Sequence, residues 1–221
     1  SRTPVSSAWQ SMVSHDASMT VAEDGSVTVD GRMKATGLCA DECIEAIRNR
    51  SLDERKKYIL ERLGSGFADG EVTSLTVPED LKACDSLTIG YSVRARSGAK
   101  VVSERIMFSP HLGVKCSSEP FAAVKRSAPV FFEYPYAAVT NVRINLPEGY
   151  ELESGLKDEY LERDFGTYGR RFEKSEGTLA YMKTFVLDKP VFPVSAYMSI
   201  RSHYQQLEVL DNEEIVLKKS A

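Results

Sequence analysis

Gly37-Leu38-Cys39 sets a thiol directly ahead of a stretch with helical spacing, the one place in the chain where a nucleophile could be built. Backbone N–H groups at a helix start, together with the helix dipole, favour a thiolate over a thiol. A working thiol centre also needs a histidine within hydrogen-bond reach and a third group to orient the imidazole. Three histidines are present, His15, His111 and His203. His111, in Ser109-Pro110-His111-Leu112, is the only reasonable base, and no Asp or Asn follows it on a clear strand in the orienting position. Asp41 and Glu42 beside the thiol would raise its pKa by unfavourable charge interaction. Cys39 therefore reads as a half-buried packing residue, and no catalytic residue is assigned.

The other catalytic templates find no match. The chain has no Gly-rich phosphate loop, no GxSxG elbow and no HExxH, so nothing calls for a cofactor. Asp158-Glu159 and Glu162-Asp164 are carboxylate pairs of the kind a glycosidase uses, but they alternate with Tyr160, Leu161 and Phe165 as the wet face of a strand would. Cys39 and Cys43 share a helical face, while Cys84 and Cys116 stand singly and no His pair has ligand spacing. Structural thiols are the first reading of these four, one disulfide the second, and a metal site the least supported. Phe131, Phe132, Tyr134 and Tyr136 cluster around Pro135. Alternation puts Phe132 and Tyr134 on one face and Phe131 on the other, so Phe132, Tyr134 and Tyr136 are the candidate rings for a glycan or peptide groove. Core packing is the default role for rings of this size.

Composition narrows the class. At 42% hydrophobic and 27% charged residues a soluble core can form. A formal charge of -4 with no clustered Lys and Arg gives no footprint for nucleic acid. No apolar run approaches the roughly 18 to 20 residues of a membrane span. Ser1-Arg2-Thr3-Pro4 lacks a charged-then-apolar leader and an initiator Met, and is read as the start of a cut or processed piece.

The elements that must position these residues follow from periodicity. Met19 to Val29 is expected to be a hairpin turning at Asp24-Gly25, its second strand running on past Met33 to Gly37. From Cys39 to Arg48 the spacing turns helical through Ala40, Cys43, Ile44 and Ile47. Ser51 and Glu54 form a capping-box pattern before a second helix with Leu52, Ile59 and Leu63 on one face, stopped at Gly64 and Gly66. Leu87 to Ala95 alternates strictly, and Ser97-Gly98 is expected to turn it onto Lys100 to Phe108 as its antiparallel partner. His111 to Lys125 is a weakly periodic connector. Strands are then expected at Pro129 to Tyr134, Val142 to Leu146, Tyr160 to Phe165, Gly169 to Lys174 and Thr178 to Leu187. A helix carries Tyr197, Ile200, Tyr204 and Leu207, broken at Asp211-Asn212, and Ile215-Val216-Leu217 closes the chain as a strand. The fold class is α+β, mainly β: antiparallel, β-sandwich-like sheets with two helices in the N-terminal half and one near the C-terminus. Two domains are drawn, a β-rich one with a helical insert over 13–115 and a sandwich-like one with a C-terminal helix over 125–219.

Several segments also fit one known pattern. They are Asp24-Gly25 and Gly37, Arg48 or Arg50, Arg126-Ser127-Ala128-Pro129-Val130, Ile144-Asn145-Leu146-Pro147-Glu148-Gly149-Tyr150, Tyr197 to Tyr204, and Ile215-Val216-Leu217-Lys218-Lys219. In that order and spacing, over about residues 13 to 219, the chain resembles the C-terminal region of bacterial multidomain proteins that carry a transglutaminase-like domain between two domains of unknown function. The resemblance implies that the catalytic Cys, His and Asp belong to an upstream domain of the same parent chain, its partner. It implies a periplasmic or cell-surface location and transfers no functional residue to this chain. The functional expectation is a non-catalytic accessory or interaction region, with a glycan- or peptide-binding sandwich second and a thiol enzyme using Cys39 third.

Overall fold

A computed structural model describes residues 7–81, 85–113, 115–153 and 157–220, with the side chain of residue 65 outside that description. Ser1-Arg2-Thr3-Pro4 and Cys84 therefore lie outside the described residues. Strands β1 (Met12–Val21) and β2 (Val27–Thr36) form the expected hairpin, with Gly25 at φ 83 in its turn. Helices α1 (Gly37–Arg48) and α2 (Leu52–Leu63) follow. Ser51 and Glu54 close the capping box reciprocally, the Glu54 carboxylate accepting from Ser51 N at 2.8 Å. Leu52 does not join the buried face of α2: it is 59% exposed, and Tyr58 takes the place beside Ile59 and Leu63. It is the first helical residue, before the turn that meets the sheet.

The remaining elements are β3 (Glu71–Thr76), β4 (Ser86–Ala95), β5 (Lys100–Val102), β6 (Arg105–Phe108), β7 (Val130–Phe131), β8 (Tyr136–Asn145), β9 (Tyr150–Leu152), β10 (Glu159–Arg163), β11 (Gly166–Ser175), β12 (Thr178–Leu187), β13 (Val191–Phe192), α3 (Tyr197–Asp211) and β14 (Ile215–Lys219). An eight-stranded sheet has the order β10-β11-β12-β8-β1-β2-β4-β3. A four-stranded sheet has the order β5-β6-β14-β9, and β7 pairs with β13. All pairings are antiparallel except β1 with β8. The mainly β, helix-bearing class is as expected. Both main sheets draw strands from each side of the connector, so residues 13–115 and 125–219 share them.

Two strand assignments change. Ser97-Gly98 does not return the chain onto β4; β5 and β6 pair with each other and leave for the small sheet, while β4 lies between β2 and β3. Val101 and Val102 are accordingly 44% and 56% exposed, and a short strand with wet side chains gains little from the large sheet's interior. Within Pro129 to Tyr134 only Val130 and Phe131 pair. Pro129 has no N–H to offer a ladder and Pro135 none to continue it.

Register makes one face of the large sheet continuous. Val13, His15, Ala17, Met19 and Val21 of β1 lie level with Ala138, Thr140, Val142 and Ile144 of β8 and, through these, with Leu179, Tyr181, Lys183 and Phe185 of β12. The same face takes Val29, Met33 and Ala35 of β2 and Ile89 and Val93 of β4. Helices α1 and α2 and apolar residues of the small sheet share one core with this face, while α3 packs on β11 and β12 in a second, aromatic core. Opposite positions such as Asp30, Asn141 and Arg143 are exposed. Gly31 lies across from Tyr91, whose hydroxyl would sit 2.6 Å from a Cβ there, so any side chain at this position must displace the ring. No helix among the described residues is long and apolar enough to cross a membrane.

Candidate functional site

Cys39 lies in the first turn of α1, as its spacing indicates. Two donors of the helix start are already engaged: Gly37 N donates to Asp85 O at 3.2 Å and Leu38 N to Ser11 Oγ at 3.2 Å. The thiol is buried and faces the Tyr134 hydroxyl, which donates to Sγ at 3.7 Å. Burial pushes the Cys39 pKa up, and Glu42 and Cys43 add to this against the Tyr134 hydrogen bond and the Arg62 charge. Burial likewise pushes the Tyr134 phenol up, with Glu42 and Cys39 contributing. One turn on, Cys43 adjoins Tyr58, whose hydroxyl accepts from Arg62 Nε at 3.1 Å while the guanidinium lies 5.2 Å over its ring.

Cys39, Glu42, Cys43, Arg62 and Tyr134 line a groove of about 240 Å³ between α1, α2 and the segment 132–136, with Glu133 and Val13 completing its wall. The structure thus brings Cys39 together with Phe132, Tyr134 and Tyr136, a thiol and a ring cluster that sequence reasoning treated separately. The three rings are half-buried, and Tyr134 and Tyr136 meet edge-on at 6.3 Å. Phe132 also stacks on Tyr204 at 6.1 Å, so it braces the core as well as facing the groove.

No imidazole lines this groove. His111 is buried with Nδ1 3.5 Å from the Tyr181 hydroxyl, beside Met19, Leu63 and Phe108. His15 is buried on β1 with Nδ1 3.3 Å from the Tyr91 hydroxyl. Burial lowers its pKa to about 4, the Arg62 charge acting the same way and Asp16 opposing. His203, on α3, packs edge-on against Phe165 at 5.0 Å, and burial lowers it to about 4 with help from Arg163. The groove offers a thiol with a phenol partner, carboxylates and a guanidinium, which can bind and orient a ligand.

Cys39, Cys43 and Cys116 are free thiols, and no group of three or more metal-ligating side chains occurs among the described residues. Asp158 Oδ1 accepts from Phe172 N at 2.9 Å and Glu162 is exposed, so these carboxylates serve the wet β10 edge.

Sequence reasoning missed a second polar constellation. Lys183 of β12 and Asp211 of α3 are both buried and meet at 2.6 Å. The Asp211 carboxylate also accepts from Tyr168 OH at 3.0 Å and from Cys116 N at 2.8 Å. Burial would raise its pKa, but the Lys183 charge, the nearby His111 and the hydrogen bonds from Lys183 and Cys116 N outweigh it and hold it below the ordinary carboxylate range. Burial pushes the Cys116 thiol up to about 12. Arg170 alongside donates to Leu210 O at 2.9 Å and pairs with Glu213 at 2.7 Å. The signal was present: Lys183 falls in phase with inward-facing Leu179, Tyr181 and Phe185, and Asp211 falls one turn beyond Leu207. With its ammonium paired to the Asp211 carboxylate, the lysine ties sheet to helix, and Asp211 extends the brace to the connector through Cys116 N.

Among curated proteins, none matches the chain. A solved structure named as a "putative protease" from Parabacteroides distasonis ATCC 8503 is similar at 18% identity and TM-score 0.45, covering 52% of this chain and 24% of that one. This chain therefore spans about a quarter of that protein. Residues 104–217 match the family described as a domain of unknown function with solved-structure structure, DUF3858, a stretch that holds the Lys183–Asp211 brace, the three candidate rings and α3. Since that match takes in more than half of the sequence, the chain belongs to the DUF3858 family.

Proposed function

We propose that the chain is a non-catalytic accessory region of a larger transglutaminase-like protein of the cell envelope, acting through its surfaces on the upstream domain of the same parent chain. The carrying observation is the Cys39–Tyr134 pair at 3.7 Å: the one thiol placed for nucleophilic work has a phenol where a base is needed. Its pKa is raised by burial, the opposite of what an attacking thiolate requires. The parentage and the periplasmic or surface location rest on the order of the motifs from Asp24-Gly25 to Lys219.

Two measurements test this. Cys39 should react with iodoacetamide more slowly than a free thiol at neutral pH, followed by mass spectrometry of the intact chain. Incorporation of a fluorescent amine into a glutamine peptide should be equal for the wild type and Cys39→Ser. Turnover by the wild type that Cys39→Ser abolishes would establish a thiol enzyme instead.

The half-exposed Phe132, Tyr134 and Tyr136 favour a second reading, a glycan- or peptide-binding groove. Saturable NMR shifts with a neutral oligosaccharide, lost in Tyr134→Ala, would support it.

A further inference from the structure

The connector 115–132 does more than join β6 to β8. Its path is clamped to α3: Cys116 N donates to Asp211 at 2.8 Å, Ser118 Oγ donates to Glu208, and the Tyr197 hydroxyl donates to Ala123 O at 2.6 Å. Arg201 Nε donates to Phe121 O at 3.0 Å. Held there, it walls a second cleft of about 390 Å³, which shares Phe132 and Tyr136 with the Cys39 groove.

Rings make its apolar lining. Phe121 lies 4.6 Å from Tyr204, Phe132 stacks on Tyr204, and Phe185 completes the floor. The charged groups lining it are Lys115 and Arg126, with no carboxylate among them. The Cys39 groove, by contrast, is lined by Glu42 and Glu133 as well as Arg62. Lys115 is half-buried and donates to Asn212 Oδ1 at 3.1 Å. The acids near it are engaged elsewhere, Asp211 with Lys183 and Glu214 with Lys100 at 3.1 Å. The Arg126 guanidinium lies 5.9 Å over the Tyr197 ring. Among the described residues, no ion pair neutralises Lys115 or Arg126. Two such cations beside an aromatic cleft, in a chain of net charge -4, are complementary to an anion with an apolar body.

Apolar surface continues beyond the cleft. Phe131, 65% exposed, lines its rim and pairs across β7–β13 with Val191, 51% exposed. A ligand longer than one residue would cover both. We propose that this cleft binds the free carboxylate end of a peptide whose last residue is aromatic or branched, its carboxylate between Lys115 and Arg126 and its last side chain on the ring floor. All the lining residues fall within the part shared with the DUF3858 family. The inference does not depend on whether Cys39 reacts.

The test uses the full chain and N-acetyl-Ala-Ala-Phe, its C-terminal amide and N-acetylphenylalanine, titrated by NMR. The free-acid tripeptide should saturate, and the amide should bind at least about tenfold more weakly, the loss expected when charge-assisted hydrogen bonds to a carboxylate are removed. Arg126→Gln and Phe131→Ser, both at exposed positions, should each weaken binding at least about fivefold with unchanged thermal unfolding. No saturation up to about 1 mM would overturn the proposal, as would equal binding of acid and amide. Equal binding of N-acetylphenylalanine and the tripeptide would overturn the peptide assignment in favour of a small carboxylic acid.

Discussion

Replacing Asp211 by Asn keeps the side-chain shape but removes the charge that Lys183 faces at 2.6 Å in the interior. Three donors converge on that carboxylate, from Lys183, Tyr168 and Cys116, and they join β12, β11 and the connector to the end of α3. An amide can accept some of these bonds but cannot neutralise the ammonium. Removing one partner of a buried pair costs about 3–5 kcal/mol, because the other charge is left uncompensated. Against a total stability of about 5–15 kcal/mol, that is a large share. Lys183→Met should cost a similar amount by stranding the carboxylate. The double variant Lys183→Met/Asp211→Leu removes both charges and fills both volumes, so it should cost less than the two singles together, with a remainder from the Tyr168 hydroxyl and Cys116 N–H that lose their acceptor. Urea unfolding followed by circular dichroism, with the slope held constant across variants, gives the comparison. Single variants costing less than about 1 kcal/mol, or a double variant costing the sum of the singles, would refute the brace. The pH dependence has a definite sign. The native Asp211 pKa is lowered, so its contribution is present above the ordinary carboxylate range and fades as pH falls through the native value.

Three further outcomes are expected. His15 is buried with a pKa lowered from 6.5 to about 4, so the unfolded chain takes up its proton first and stability falls as pH drops through that window. At roughly 1.4 kcal/mol per pH unit this is roughly 3 kcal/mol, and His15→Gln should make the urea midpoint fall less steeply between those pH values, His203 keeping its own share; an unchanged slope would count against it. Gly31→Ala should destabilise by about 1–3 kcal/mol, since the new Cβ would meet the buried Tyr91 ring, and a neutral result would show that the ring can move aside. Ser51→Ala should cost about 1 kcal/mol by opening the capping box with Glu54, read as a lower thermal midpoint; no change would mean α2 is held by Tyr58, Ile59 and Leu63 alone.

Local signals in the sequence determined the hairpin at Asp24-Gly25, the capped start of α2, the inward and outward rows of β4, the presence of strand β12 and the stripe of α3, because each depends on residues a few positions apart. They did not determine which strands pair. Backbone N–H and C=O groups are the same in every strand, so alternation tells which face is buried but not which neighbour lies alongside. Hence the parallel pairing of β1 with β8 and the departure of β5 and β6 to the small sheet appear only in three dimensions. The candidate sites divide in the same way. Cys39 at a helix start and the rings around Pro135 are local facts, but Tyr134 meets Cys39 across 95 residues, and Lys183 meets Asp211 across 28. Tertiary packing alone decided that the thiol would face a phenol and that a buried lysine would find its carboxylate. A buried polar group is settled by whichever partner the assembled layers bring within about 3 Å, and sequence distance does not set that.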